Sequence, residues 1–245
     1  TEPAHRNAIH GLVRAESWTV AEQKHSRVLM TYALEPQPGY PFSLEVELEY
    51  SLTGDGLRVQ TKATNVGGKA APYGSGAHPY LRAGTATVDS ATLRIPARTV
   101  LQSNDRGLPV GSGPVEGSEF DFRSPRPIGA TVLDHAFTDL ERGHDGLARV
   151  ELADRVSLWV DDAYPYLMVF TGDPLPDVAR PGRPVDTSHR PPSGAATRPW
   201  HVTTASYFLA MRPHVRSSIS STPSRKAASF GLGVRTSRPA SRSAT

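Results

Sequence analysis

At 245 residues the chain fits one large domain or two small ones, and 22 prolines with 21 glycines exclude a scaffold of long helices in favour of many turns. The absence of cysteine excludes disulfides and thiolate metal sites but leaves the redox compartment open, and no apolar run approaches the ~18 residues of a membrane span, so the chain reads as a soluble protein without a membrane partner; a cytoplasmic location is expected. The net charge of +3 hides a division near Arg180: residues 1–180 hold 17 Lys+Arg against 23 Asp+Glu, or −6, and residues 181–245 hold 10 against 1, or +9.

The chain opens on Thr1 and enters Asn7-Ala8-Ile9-His10-Gly11-Leu12 almost at once, which suggests a further N-terminal portion ahead of it. Ser17–Glu22 and Val28–Leu34 carry β-branched or alternating apolar residues and predict two strands, with a turn at Pro36-Gln37-Pro38-Gly39 after the second. Phe42–Tyr50 alternates apolar and polar residues for nine positions, the period of a strand with one buried and one wet face. Gly54-Asp55-Gly56 turns it into Leu57–Asn65, which predicts an antiparallel hairpin.

After the segment around His78, Thr85–Ile95 and Arg98–Leu101 are strand-like, and Ser103–Pro127 reads as a long irregular connection. Ala148–Leu152, Val156–Val160 and Tyr166–Thr171 predict three short strands. Successive short strands without amphipathic helical runs point to an all-β fold, an antiparallel sandwich or barrel-like pair of sheets. Beyond Pro181 the pattern fails except at Val202–Met211, which suits a strand or a helix. Ser217–Thr245 has too little apolar content to repay the entropy of ordering, so disorder is expected there.

Three titratable positions are flanked by turns. His78 lies in Tyr73-Gly74-Ser75-Gly76-Ala77-His78-Pro79-Tyr80-Leu81, where Pro79 biases the histidine toward an extended backbone at a strand end. Its imidazole can exchange a proton near neutral pH. On this segment alone, a buried histidine bonded to a carbonyl or an exposed loop histidine explains the residue as well. His10 before Gly11 can equally bond loop carbonyls, and Asp134 in Asp134-His135-Ala136-Phe137 can be a turn acceptor or ion-pair partner. His5 with His10, or His135 with His144, lack the spacing that aims two imidazoles at one metal ion. Gly74-Ser75-Gly76 matches neither a phosphate-cradling loop nor a nucleophile elbow.

Five strings occur in an order that resembles the aldose 1-epimerase (galactose mutarotase) family: Asn7–Arg14, Pro38-Gly39-Tyr40-Pro41-Phe42, Gly74–Leu81, Asp134-His135-Ala136-Phe137 and Val169-Phe170-Thr171-Gly172-Asp173. The resemblance covers residues 1–180, and it implies an antiparallel β-supersandwich. It also implies a reaction in which a base takes the anomeric hydroxyl proton of an aldose while an acid protonates the ring oxygen. Rotation about C1 and reclosure then give the other anomer, with a small-molecule sugar as partner and no cofactor or metal. By motif match His78 is similar to the histidine that protonates the ring oxygen, and His10 to its partner histidine. Asp134 is similar to the aspartate that binds sugar hydroxyls, with Asn7 and Tyr80 as further substrate contacts. Tyr80, Phe137 and Trp159 can offer flat faces to sugar C–H groups or serve as packing.

The family's general base is a glutamate close to the C-terminus, and this chain has no glutamate after Glu151. The expected organisation is therefore an epimerase-like domain over residues 1–180 and a basic Ser/Arg/Pro-rich tail over 181–245, disordered or out of frame. Translating the coding DNA in its other frames past Arg180 tests the second possibility, which fails if no family-like ending appears. A non-catalytic carbohydrate-binding domain of the same fold is the alternative reading. The +9 tail lacks the interleaved aromatics of a nucleic-acid binder, and no nucleic-acid partner is expected.

Overall fold

The computed structural model describes residues 11–13, 15–79, 81, 85, 87–172, 218–219 and 227–236, and every regular element among them is a β-strand. Strands β1 (Thr19–Lys24) and β2 (Arg27–Leu34) form a hairpin around His25-Ser26. The predicted turn follows β2, closed by reciprocal backbone bonds between Gln37 and Tyr40 of 3.1 and 2.9 Å.

The alternating stretch forms β3 (Leu44–Thr53), paired with β4 (Gly56–Asn65) from Leu44↔Asn65 to Thr53↔Gly56, so the loop is the two residues Gly54-Asp55. Gly56 has φ +114°, and a Cβ there would lie 2.1 Å from the Val234 carbonyl oxygen, so this turn requires glycine. On the wet face the Lys62 ammonium meets Glu47 at 2.8 Å and the Arg27 guanidinium meets Glu49 at 2.7 Å. On the other face Leu44 and Val46 are buried.

The remaining strands are β5 (Ala71–Pro72), β6 (Thr92–Arg94), β7 (Ala97–Ser103), β8 (Pro109–Pro114), β9 (Arg126–Pro127), β10 (Asp134–Leu140), β11 (Ala148–Leu152), β12 (Val156–Val160), β13 (Leu167–Phe170), β14 (Ser218–Ile219) and β15 (Ala227–Thr236). They make a nine-stranded sheet in the order β1-β2-β3-β4-β15-β12-β11-β6-β9, a four-stranded sheet β13-β10-β7-β8, and the small pair β14-β5. The main core lies between the two larger sheets. Leu93, Val150, Leu152, Leu158 and Val160 from the first meet Val100, Phe137, Leu167 and Val169 from the second. A smaller core gathers Leu34, Leu44, Val46 and Ala71, with Trp18, Tyr32, Tyr40, Phe42 and Tyr73 packed against it.

Three segments depart from expectation. Strand-like Thr85–Ile95 contributes only β6, because the chain turns at Val88–Ala91, where the Ala91 amide bonds the Val88 carbonyl at 3.1 Å. The irregular connection contains β8, Pro-Val-Gly-Ser-Gly-Pro, at the edge of the small sheet; paired on one side only, it tolerates prolines that cannot donate to a ladder. Within the segment expected to stay disordered, residues 227–236 form β15, paired to β4 on one side and β12 on the other. Two complete ladders order a backbone whose composition alone does not.

Candidate active-site region

Asp134 begins β10, and its placement follows from the strand before it in space. Leu133 and Thr171 clamp each other: the Thr171 amide donates to the Leu133 carbonyl at 2.9 Å, and the Leu133 amide donates to Thr171 Oγ1 at 3.0 Å. Thr171 is wholly buried, so this pair replaces water for both groups. The register then sets Asp134 opposite Phe170 and His135 opposite Val169. The fourth and fifth motif strings are thus neighbouring strands.

Adjacent strand residues face opposite ways. His135 stacks on Phe120, ring centroids 4.4 Å apart, while Asp134 keeps an exposed carboxylate on the other face. Partial desolvation raises the Asp134 carboxyl above its ordinary value, opposed by His135. Burial lowers the His135 imidazole, opposed by Asp134 and Glu119. Phe137, a candidate sugar platform from its type, is fully buried in the core and packs. Trp159 lies over Gly233, where a Cβ would come 2.1 Å from its ring.

His78 is exposed at the end of a segment without regular structure, while Ala77 and Leu81 beside it pack on the main core. Several contacts hold that segment. Tyr40, from the second motif string, donates its hydroxyl to the Pro72 carbonyl at 2.7 Å. Tyr73 packs against both cores. Burial raises the Tyr73 and Tyr164 phenols, and Tyr164 sits in the main core. The Tyr164 backbone is itself pinned, its carbonyl accepting from Arg142 at 2.8 Å and its amide donating to Asp161 O at 3.2 Å. Next to it, the Pro165 carbonyl accepts from Thr138 of β10 at 3.0 Å.

Ala77 and Leu81 of the third string, Phe137 of the fourth and Val169 of the fifth therefore share the main core with Tyr164, and Tyr40 and Phe42 of the second meet Tyr73 in the smaller one. His10, Asn7 and Tyr80 lie outside the described residues. Val13, three residues after His10, packs on the smaller core beside Tyr40 and Tyr73. Tyr164, Arg142 and Asp161 carried no motif signal, since their value is the contact they make with residues far away in sequence. Among the described residues no group of three or more His, Asp or Glu is placed to hold a metal ion, and no helix is long and apolar enough to cross a membrane.

The profile of the aldose 1-epimerase family matches residues 1–208, past Arg180 where the motif resemblance ends. The uncharacterized protein YihR of Escherichia coli is 32 % identical over 194 residues, 78 % of this chain and 61 % of its own length. Human galactose mutarotase is 30 % identical over 135 residues, 52 % of this chain and 39 % of its own. The chain thus spans less than two thirds of either relative. Among solved structures, a galactose mutarotase-like protein of Clostridium acetobutylicum superposes with a TM-score of 0.73 at 16 % identity, covering 97 % of this chain and 71 % of that one. Another from Lactobacillus casei gives 0.63 at 18 %, covering 94 % and 76 %. At these identities the likeness concerns the fold, an antiparallel β-sandwich of the galactose mutarotase type. With the family profile matching residues 1–208 of the 245, the chain belongs to the aldose 1-epimerase family.

Proposed function

We propose that the chain acts on a small-molecule aldose, interconverting its α and β anomers by acid-base ring opening. His78 protonates the ring oxygen, His10 is its partner against the sugar, and Asp134, Asn7 and Tyr80 bind the substrate. The observation that carries this reading is the physical joining of the motif strings. The Pro38–Phe42 turn meets the segment leading to His78 at Pro72 and Tyr73, and that segment shares the main core with the paired strands bearing Asp134 and Thr171. The site residues all precede Arg180, so residues 1–180 are the site-bearing part and 181–245 the tail. A histidine can donate and recover a proton in one turnover, and a positioned acid or base is worth ~10² to 10⁴ in rate.

Polarimetry on freshly dissolved α-galactose tests the reading. The expected result is faster decay of rotation, reduced by ~10² or more in His78→Ala; an unchanged rate in that variant removes His78 from the mechanism. A second reading takes the same strings as sugar contacts alone. In it the domain binds sugar without catalysing exchange, and calorimetry shows saturable binding while the optical rotation decays at the uncatalysed rate.

A further inference from the structure

The Asp134 backbone sits at a break in the hydrogen-bond ladders. In an antiparallel sheet, successive residues direct their amides and carbonyls alternately toward one neighbouring strand and the other. Leu133 directs both of its groups at Thr171, so Asp134, opposite Phe170, directs its own away from β13. On that other side lies β7, whose ladder with β10 starts only at Phe137↔Val100. The described strands therefore offer the Asp134 amide no ladder acceptor, although a backbone amide is a strong donor that requires a partner. The next side chain supplies one: the Asp134 amide donates to His135 Nδ1 at 3.1 Å. With Nδ1 accepting, the neutral imidazole carries its proton on Nε2. The ring is held by its stack on Phe120, and β13 sets Val169 opposite it. Protonation would place a hydrogen on Nδ1 and turn the acceptor into a second donor facing the amide, so the bond exists only while His135 is neutral. Burial favours that form, holding the imidazole below its ordinary 6.5 against the pull of Asp134 on its own strand and of Glu119 beside Phe120.

We propose that His135 is a positioning residue: while neutral, it fixes the Asp134 backbone and with it the carboxylate that binds the sugar. This rests on the reading of Asp134 as a sugar contact. His135 acts without touching the sugar, since its ring lies on the opposite face of β10 from that carboxylate and works through a main-chain bond. As pH falls through the folded value, which lies below 6.5, the bond is lost and Asp134 is released, so sugar affinity falls with it. Losing one hydrogen bond corresponds to roughly 3- to 10-fold in affinity.

The test uses the full chain and two variants that separate the acceptor from the ring. His135→Phe keeps an aromatic against Phe120 and removes the acceptor, whereas His135→Asn puts an amide oxygen where Nδ1 stood, an acceptor that does not titrate. NMR follows the Asp134 amide and the His135 imidazole from about pH 5 to about 8, the range over which histidine changes charge, and calorimetry follows galactose binding across it. In the parent, the Asp134 amide is expected to shift in step with the His135 titration, with a midpoint below 6.5. At the upper end of the range His135→Phe should bind galactose roughly 3- to 10-fold more weakly. His135→Asn should restore binding there and lose the part of the pH dependence that tracks the Asp134 amide. An Asp134 amide that stays in place while His135 titrates, parental binding in His135→Phe, or a parental pH profile in His135→Asn overturns the positioning role. Failure of the reading beneath it is seen separately, as parental galactose binding in Asp134→Ala.

Discussion

The nine-stranded sheet has two halves written in the same period-2 pattern and finished differently. In β11 and β12, Ala148, Val150, Leu152, Leu158 and Val160 alternate with polar residues and are buried beneath the four-stranded sheet, Leu158 wholly so. In β3 and β4, Leu48, Tyr50, Leu52, Leu57 and Val59 alternate as cleanly and sit on the same face, yet Leu52 is 61 % exposed. Among the described residues, the Leu34, Leu44 and Val46 end of that half is covered by the smaller core, and Val59 packs against the main one. Alternation specifies which face is apolar; burial requires a second layer above it. Since fully burying a leucine is worth about 1.5–3 kcal/mol, the outer half leaves much of its apolar surface unused for stability.

The strongest way to break the covered half is Phe137→Ala, which empties the space between the sheets. A loss of about 3–5 kcal/mol is expected by denaturant unfolding. Paired truncations then sharpen the contrast. Leu158→Ala should cost about 2–5 kcal/mol and Leu52→Ala less than about 0.5 kcal/mol. Equal costs at the two positions would mean that the outer half is covered in solution. Of smaller effect, Gly233→Ala forces a Cβ into Trp159 and should cost about 1–3 kcal/mol, with much of it recovered in the double variant carrying Trp159→Ala.

The smallest effect is on pH dependence, and it belongs to the covered half. Burial lowers His135 below its ordinary 6.5 in the folded state, so its contribution to stability is present above 6.5 and is lost as pH falls through the lower folded value. Asp134 runs the other way: its carboxyl is raised above 3.8, so its contribution is present below 3.8 and is lost as pH rises through the folded value. Stability profiles from pH 3 to 8 should flatten below 6.5 in His135→Gln and above 3.8 in Asp134→Asn. Profiles parallel to the parent would show that neither group is desolvated as described.

These contrasts also show how far the sequence reaches. The hairpin of β3 and β4 was legible because alternation and the Gly54-Asp55 turn agree, and β11 and β12 because short β-branched runs sit between turn residues. β8 was hidden because glycines and prolines read as loop, although an edge strand tolerates both. In β15 the alternation of Phe230, Leu232 and Val234 with glycines is present in the sequence, but the surrounding Ser/Arg/Pro composition masks it. The motif strings were legible as a set, whereas the packing of Tyr164 beside them was not. Nothing local marks a tyrosine that shares a core with Tyr73 and Ala77, far earlier in the chain. Likewise, no pattern within β3 tells whether another layer will cover Leu52.

The position of β15 also has a consequence for synthesis. β4 ends at Asn65, and the strand that joins it to β12 begins at Ala227, about 160 residues later. At about 5–20 residues per second, a ribosome needs roughly 8–32 s to bridge that interval. During it β4 presents an unpaired edge, joined by that of β12 once Val160 has been made, the kind of backbone that pairs with neighbouring nascent chains. The sheet can be closed only by one of the last described segments to emerge, so a chaperone that occupies the β4 edge in the meantime should raise the yield of folded protein more than one acting after release.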